Sequence, residues 1–334
     1  MPHPVTTRAH AKINLMLSVG PPLPPEASRP GWHEIASWFH AIDLYDDVAV
    51  EPLSGGPPLA RGTVETAWAP DALRPTPIDW PPEKDLAARA HACLEQHVGR
   101  SLPSRLHVTK RIPTGAGLGG GSSDAAATLR ALNEAFDLSL DQSVLRTLGA
   151  TLGSDVPYFL DDHAPPRPAL VTGFGETIER TDRADAALVL VVPPYSCSTP
   201  DVYKAFDTVL DDARRERELD YIRASGARAT EGRPPGRPPE PHRVKTDLVR
   251  RRMGRLGTRP DPGHLFNDLA LAAYRVEPRL GELVTTLARV TRISPHVTGS
   301  GSAIFLLTDR PEKTLEQARR VLPEGAAARI CRLC

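Results

Sequence analysis

The sequence predicts an α+β fold, and three observations predict it. Residues 11–19 alternate, with Ala11, Ile13, Leu15, Leu17 and Val19 on one side and Lys12, Asn14, Met16 and Ser18 on the other, which is the two-residue period of a strand with one apolar face. Residues 122–136 are rich in alanine and leucine, a composition that favours helix, and they directly follow a dense cluster of glycines. Further strands (105–109 and 188–192) and helices (264–275 and 278–290) are mixed without a strict βαβ rhythm, which speaks against a doubly wound sheet.

Composition narrows the function classes. At 40% hydrophobic residues the chain builds a real core, and 334 residues make one large domain or two of ordinary size. Lys plus Arg equals Asp plus Glu at 41 each, which argues against a nucleic-acid coat or a membrane-surface protein. The apolar run 186–192 is too short to span a bilayer. The opening Met1-Pro2-His3-Pro4 has neither the basic nor the apolar region of a secretory leader. Four cysteines in a chain of this length are not a disulfide framework. The expectation is a soluble, cytoplasmic, globular protein with no membrane and no nucleic-acid partner.

Proline is the outlier, 35 residues or twice the usual share of ~5%. It clumps at 21–25, 70–82 and 232–241, and each clump reads as a surface loop. Residues 243–259 hold Lys245, Arg250, Arg251, Arg252 and Arg255 with no interleaved aromatics, so they read as a solvated insertion rather than a nucleic-acid site. Residues 214–218 read as a charged helix surface. The terminal Cys331-x-x-Cys334 lacks further metal ligands at matching spacing, and the eleven histidines show no H-E-x-x-H pattern.

The informative segment is residues 110–124, K-R-I-P-T-G-A-G-L-G-G-G-S-S-D, with five glycines in the seven positions 115–121. Glycine lets the backbone adopt positive φ and approach a ligand closely. A helix start offers unpaired N–H groups and a partial positive charge. Together they make an anion site, most simply for a phosphate chain, to which the Ser122 and Ser123 hydroxyls add donors or meet a metal ion on the phosphates. No lysine precedes the serines, so the Walker pattern fails. Gly115, Gly117 and Gly120 meet G-x-G-x-x-G, but residues 110–114 intervene where a strand should end and no strand clearly follows the helix, so the dinucleotide reading is rejected.

The run Pro113-Thr114-Gly115-Ala116-Gly117-Leu118-Gly119-Gly120-Gly121-Ser122-Ser123 resembles the phosphate loop of the GHMP kinase superfamily, which includes galactokinase, homoserine, mevalonate and phosphomevalonate kinases. Further segments fit in family order: Ala11-Lys12-Ile13-Asn14-Leu15, Gly31-Trp32-His33-Glu34, Leu152-Gly153-Ser154-Asp155-Val156-Pro157, Gly173-Phe174-Gly175-Glu176, Thr199-Pro200 with Tyr203-Lys204, Phe266-Asn267-Asp268 and Thr298-Gly299-Ser300-Gly301-Ser302. The resemblance implies a two-domain α+β kinase with its site in the interdomain cleft. Residues 1–165 would bind ATP and catalyse, and residues 166–334 would bind substrate, with a flexible Pro/Arg-rich insertion at about 225–260. ATP is the implied co-substrate, with Mg²⁺ on its phosphates and Ser123 as a candidate contact for the metal.

The resemblance also assigns roles. Asp155 matches the family's catalytic aspartate and Lys12 its lysine partner. A carboxylate is a weak base at neutral pH and a lysine neighbour favours its charged form, so the expected task of Asp155 is to align the acceptor hydroxyl and take its proton late. Lys12 would hold Asp155 and balance developing charge. Lys110 would reach the nucleotide, Asn14 would bond the acceptor, and Gly299, Ser300 and Gly301 would close over the substrate. Trp32 and Tyr203 would sandwich a cytosine, with His33 bonding its edge by side chain or backbone, as in the branch of the superfamily that phosphorylates a cytidine diphosphate sugar alcohol. Two positions depart from that branch. Trp32 stands for a tyrosine, and Asp85 stands for an asparagine and would be limited to accepting a bond from adenine.

Overall fold

A computed structural model describes residues 2–53, 64–230, 242–256 and 260–334. In chain order the elements are β1 (Val5–Pro22), β2 (His33–Pro52), β3 (Val64–Trp68), α1 (Leu86–Val98), β4 (Ser104–Lys110), α2 (Gly120–Ala135), α3 (Gln142–Leu152), α4 (Val156–Phe159), β5 (Ala169–Gly173) and β6 (Thr177–Arg180). There follow β7 (Ala187–Val192), α5 (Thr199–Thr230), α6 (Thr246–Leu256), β8 (Phe266–Asn267), α7 (Ala270–Val276), α8 (Pro278–Thr291), β9 (His296–Val297), β10 (Ile304–Leu307), α9 (Pro311–Arg319) and β11 (Ala327–Arg332).

Two sheets face each other. The first runs β3-β4-β2-β1-β8, with β5 and β6 added along the far part of β2, and the second runs β11-β7-β10-β9. The passage from one sheet to the other falls between Arg180 and Ala187. Ile13, Trp38 and Leu44 of the first sheet pack on Leu188, Leu190 and Phe305 of the second. The outer face of the first sheet is closed by α1 to α4 through residues such as Leu94, Leu129, Leu132 and Phe159. The outer face of the second is closed by α5, α7, α8 and α9 through Phe206, Ala273, Leu283 and Ala318. The order of layers is helices, sheet, sheet, helices. Helix α2 is the most enclosed helix of the first half, and its alanines, Ala125, Ala126, Ala127 and Ala131, let it lie close against β1 and β2.

Strand β1 departs from the simple alternation of its sequence. It pairs antiparallel with β2 from Val5↔Val50 to Pro22↔His33, but the register shifts between His10 and Lys12, between Asn14 and Met16, and beyond Val19. Leu15 and Met16 therefore join the same core while Leu17 and Val19 join another, and Lys12 and Asn14 are buried rather than solvated. A strand covered on both faces needs no polar side, and each bulge re-aims one side chain.

The helix expected over 264–275 begins only at Ala270. Asp261 Oδ1 accepts from Gly263 N and starts a short turn. Phe266 and Asn267 are then drawn out to pair with Met16 and Leu17, and Asp268 accepts from Ser18 Oγ and Val19 N. Tertiary hydrogen bonds override local helix propensity there. The proline clump at 232–241 and residues 257–259 lie outside the described residues. Within the neighbouring basic stretch, α6 packs on the first sheet through buried Val249, and Arg250 pairs with Glu179 at 2.7 Å. Residues 214–217 do form an exposed charged surface, on α5.

His40 records how tightly the sheets close. Its Nδ1 donates to the Ala41 carbonyl at 3.1 Å and its Nε2 accepts from Ala184 N at 3.0 Å, so the ring is fixed neutral. Burial holds its pKa down, from 6.5 to about 4, against the pull of the Ala41 carbonyl. The unfolded chain therefore binds the proton first, and stability falls as pH drops below 6.5. Urea unfolding should show a loss of about 2 kcal/mol from this residue between about pH 7 and about pH 5, and His40→Gln should remove most of that slope.

Candidate active site

The glycine segment forms a bend between β4 and α2. Gly115, Gly117 and Gly119 have φ of +66°, +77° and +71°. Gly119 caps α2 with no side-chain hydrogen bond to the first amides, so those N–H groups point free of any capping side chain. The bend is anchored from three sides by main chain: Lys12 N donates to Leu118 O at 2.9 Å, Ala303 N donates to Ala116 O at 3.1 Å, and Ser123 N donates to Gly119 O at 2.9 Å. A Cβ on Gly117 would lie 2.4 Å from the Thr298 carbonyl, and one on Gly119 would lie 2.9 Å from the Phe159 ring and 3.1 Å from Lys12 Cγ. The residue type at both positions is thus dictated twice, by φ and by contact.

Beneath the bend is a buried charge cluster. Lys110 Nζ donates to Asp124 Oδ2 at 2.5 Å and to Asp46 Oδ2. Asp46 Oδ1 also accepts from Arg111 N and, at 2.8 Å, from Ile112 N. Burial would pull Lys110 down, but the two carboxylates more than offset it and hold it charged. Burial pushes the Asp124 carboxyl up while Lys110 pulls it back. Lys110 lines the cavity walled by the bend, but its ammonium is committed to these two acids, so its first task is to fasten the bend to β2 and α2.

Two cavities meet at the bend, and Gly117 and Gly119 line both. The smaller, about 240 Å³, is walled by the bend itself, by Lys110, by the start of α1 and by Trp80. Asp85 caps α1, its Oδ1 accepting from Ala87 N and Ala88 N, and its Oδ2 accepts from Trp80 Nε1 at 3.0 Å. Both of its oxygens are engaged, so Asp85 positions Trp80 rather than standing free for a base. Trp80 escaped the sequence reading because the proline-rich run around it has no periodicity. Thr114 is tied to that run through Thr76 Oγ1 at 3.0 Å.

The larger cavity, about 630 Å³, holds the other expected residues: Lys12, Asn14, Trp32, His33, Asp155 and Tyr203, with Gly299 and Ser300. Lys12 Nζ donates to Asn14 Oδ1 at 2.8 Å, lies 3.5 Å from Asp155 Oδ2 and sits over the Phe39 ring at 4.8 Å. Asn14 is held in turn by Ser37, to which its Nδ2 donates at 2.9 Å, and by Thr298 Oγ1, which accepts from Asn14 N at 3.0 Å. Asp155 stands at the start of α4 without capping it, so its carboxylate is left for the cavity. Its segment is pressed by Gly175, where a Cβ would lie 2.3 Å from Ser154 O. His33 is committed: Nδ1 donates to Gly20 O at 2.9 Å and Nε2 faces Asp207 Oδ1 at 3.5 Å, while the ring packs on Tyr203 at 5.0 Å. Its side chain supports the cavity wall, which leaves backbone groups for a ligand.

Asn267 is the structural key that sequence reasoning touched only as part of a motif. Its Nδ2 donates to Val297 O and Gly299 O, both at 2.8 Å, and its Oδ1 accepts from Leu269 N at 2.9 Å. It thereby fixes the glycine turn at residues 298–302, which Thr199 Oγ1 also meets through Ser300 Oγ at 2.8 Å.

A glycine bend at a helix start, with a lysine-paired aspartate in the adjoining cavity, has the parts of a small-molecule kinase. Residues 85–162 match the sequence profile of the GHMP kinases N terminal domain. A crystal structure of 4-(cytidine 5'-diphospho)-2C-methyl-D-erythritol kinase superposes with a TM-score of 0.64 at 27% identity, covering 98% of this chain and 99% of that one. L. major mevalonate kinase shares the fold, with a TM-score of 0.63 at 14% identity over 100% of this chain and 98% of that one. The fold is that of the GHMP kinases. Among curated relatives, 4-diphosphocytidyl-2-C-methyl-D-erythritol kinase of Thermobifida fusca is 31% identical over 98% of this chain and 94% of its own length. That of Kineococcus radiotolerans is 33% identical over 98% and 88%. The chain belongs to the 4-diphosphocytidyl-2-C-methyl-D-erythritol kinase family.

Two outcomes are expected from this geometry. Lys110→Met leaves Asp46 and Asp124 buried without their cation and should lower stability by about 3–5 kcal/mol in urea unfolding. Asn267→Ala should leave the fold cooperative but lower kcat/KM by about tenfold or more, since orphaned carbonyls free the 298–302 turn to move.

Proposed function

We propose that this protein transfers the γ-phosphoryl group of ATP to the 2-hydroxyl of 4-diphosphocytidyl-2-C-methyl-D-erythritol, a step of non-mevalonate isoprenoid synthesis. The observation that carries the reading is the shared wall: Gly117 and Gly119 border both cavities, so a triphosphate gripped on one side presents its end to the other, where Asp155 waits. The free amides at the start of α2 and the backbone of residues 115–121 suit phosphate oxygens. Trp80 supplies a ring beside the expected base.

On the acceptor side, Trp32 and Tyr203 offer stacking faces for cytosine, and Gly299 and Ser300 offer main chain to the diphosphate, while Gly301, expected beside them, spends its N–H on Thr298 O at 3.0 Å. Asp155 Oδ2 orients the 2-hydroxyl. As its oxygen bonds to the γ-phosphorus and the bond to the β–γ bridging oxygen breaks, the hydroxyl proton passes to Asp155 and ADP departs. Lys12, pinned between Asn14 Oδ1 and Asp155 Oδ2, fixes the carboxylate and counters charge gathering on the transferred group. Mg²⁺, when bound with ATP, neutralises the phosphates. The chain's own contact to it would be a hydroxyl such as that of Ser123 at the start of α2. No helix of the described residues is long and apolar enough to cross a membrane.

The test is ADP release from ATP and Mg²⁺ with the cytidine diphosphate acceptor, against mevalonate and homoserine as comparison acceptors. Turnover should be confined to the cytidine compound, and turnover of another alcohol alone would overturn the substrate assignment. Asp155→Asn should lower kcat by about 10²-fold or more with ATP affinity unchanged.

A further inference from the structure

The rim of the larger cavity carries a cluster of which the reading above uses only Trp32. Trp32 is an exposed tryptophan, 52% accessible, at the edge of that cavity. Its ring meets that of Phe174 edge-on, with centroids 5.9 Å apart and planes at 83°. The Arg29 guanidinium lies over both rings, 5.1 Å from the Trp32 centroid and 4.7 Å from that of Phe174. Among the described residues Arg29 has no ion pair, so its charge is uncompensated beside the cavity mouth. Trp32 and Phe174 both line that cavity, together with Tyr203.

Phe174 is placed with some rigour. It occupies the turn between β5 and β6, flanked by Gly173 at φ +70° and Gly175 at φ +109°. Its N–H donates to Glu176 Oε2 at 2.7 Å. The same turn presses Gly175 against Ser154, the residue before Asp155. The aromatic rim and the catalytic carboxylate are therefore set by one short segment.

We propose that Phe174 and Arg29 are specificity-determining residues for the acceptor. Phe174 adds a third aromatic wall beside Trp32 and Tyr203, and Arg29 fastens Trp32 to Phe174 while offering positive charge to the acceptor's diphosphate. This deepens the functional reading above and rests on it, since the ligand that fits three aromatic surfaces and a free cation is a pyrimidine carrying a diphosphate. An aromatic contact of this kind is worth about threefold to tenfold in affinity.

The experiment measures KM for the cytidine acceptor, KM for ATP, kcat and, separately, the Kd of CDP by calorimetric titration. Phe174→Ala and Phe174→Val should each raise acceptor KM and CDP Kd about threefold to tenfold, with kcat and ATP KM within about twofold of wild type. Phe174→Tyr should restore binding. Arg29→Gln should raise both constants and flatten their dependence on salt. Unchanged acceptor KM and CDP Kd in these variants, or a fall in kcat with KM unmoved, would overturn the assignment of Phe174 and Arg29. Should wild type itself neither bind CDP nor turn over the cytidine compound, the functional reading fails first and takes this one with it.

Discussion

The main chain at Gly117 touches the main chain at Thr298, and that contact organises the molecule. The glycine bend grows out of the first sheet and the 298–302 turn grows out of the second. A Cβ at Gly117 would come within 2.4 Å of the Thr298 carbonyl, so the two turns close only because that atom is absent. The Ala303 N–H to Ala116 O bond completes the junction. Once the turns are docked, Thr298 Oγ1 reaches Asn14 on β1, and Asn14 reaches Lys12. The lysine that meets Asp155 is thus placed by a chain of contacts that starts at a missing methyl group. Groups held by backbone contact do not need to reorganise as charge moves, and this is where a phosphoryl-transfer site obtains its stabilisation.

The buried charges serve the same end. Lys110 is surrounded by Asp46 and Asp124, and Asp46 spends its second oxygen on the N–H groups of Arg111 and Ile112 that lead into the bend. Exposed pairs such as Arg250–Glu179 contribute little, whereas a buried pair that is also tied to backbone fixes geometry at a high energetic stake. The cluster ties β2, β4 and α2 into one rigid seat. The larger cavity is built with lighter means, an exposed ring, a cation over it and a turn.

Much of this was legible in the residues. The glycine cluster before a small-residue helix announced an anion site because glycine density and an uncapped helix start have few other uses. Lys12, Asn14 and Asp155 were legible only through resemblance, since a lysine on an alternating strand looks solvated. Three features were hidden. Asp85 read as a base contact but caps α1 and holds Trp80. His33 read as a partner for the base by side chain or backbone, and its side chain is occupied by Gly20 and Asp207. The segment around Asn267 read as helix because its alanines and leucines follow, yet its hydrogen bonds belong to β1 and to the 298–302 turn.

The sequence by itself determined the α+β class, the glycine bend and the helix behind it, because these rest on backbone freedom and local propensity, which neighbouring residues settle among themselves. Only the tertiary structure decided which polar groups remain available for chemistry. A side chain's hydrogen bonds are shared out by residues hundreds of positions away, as Thr298 does for Asn14, and no local pattern carries that allocation.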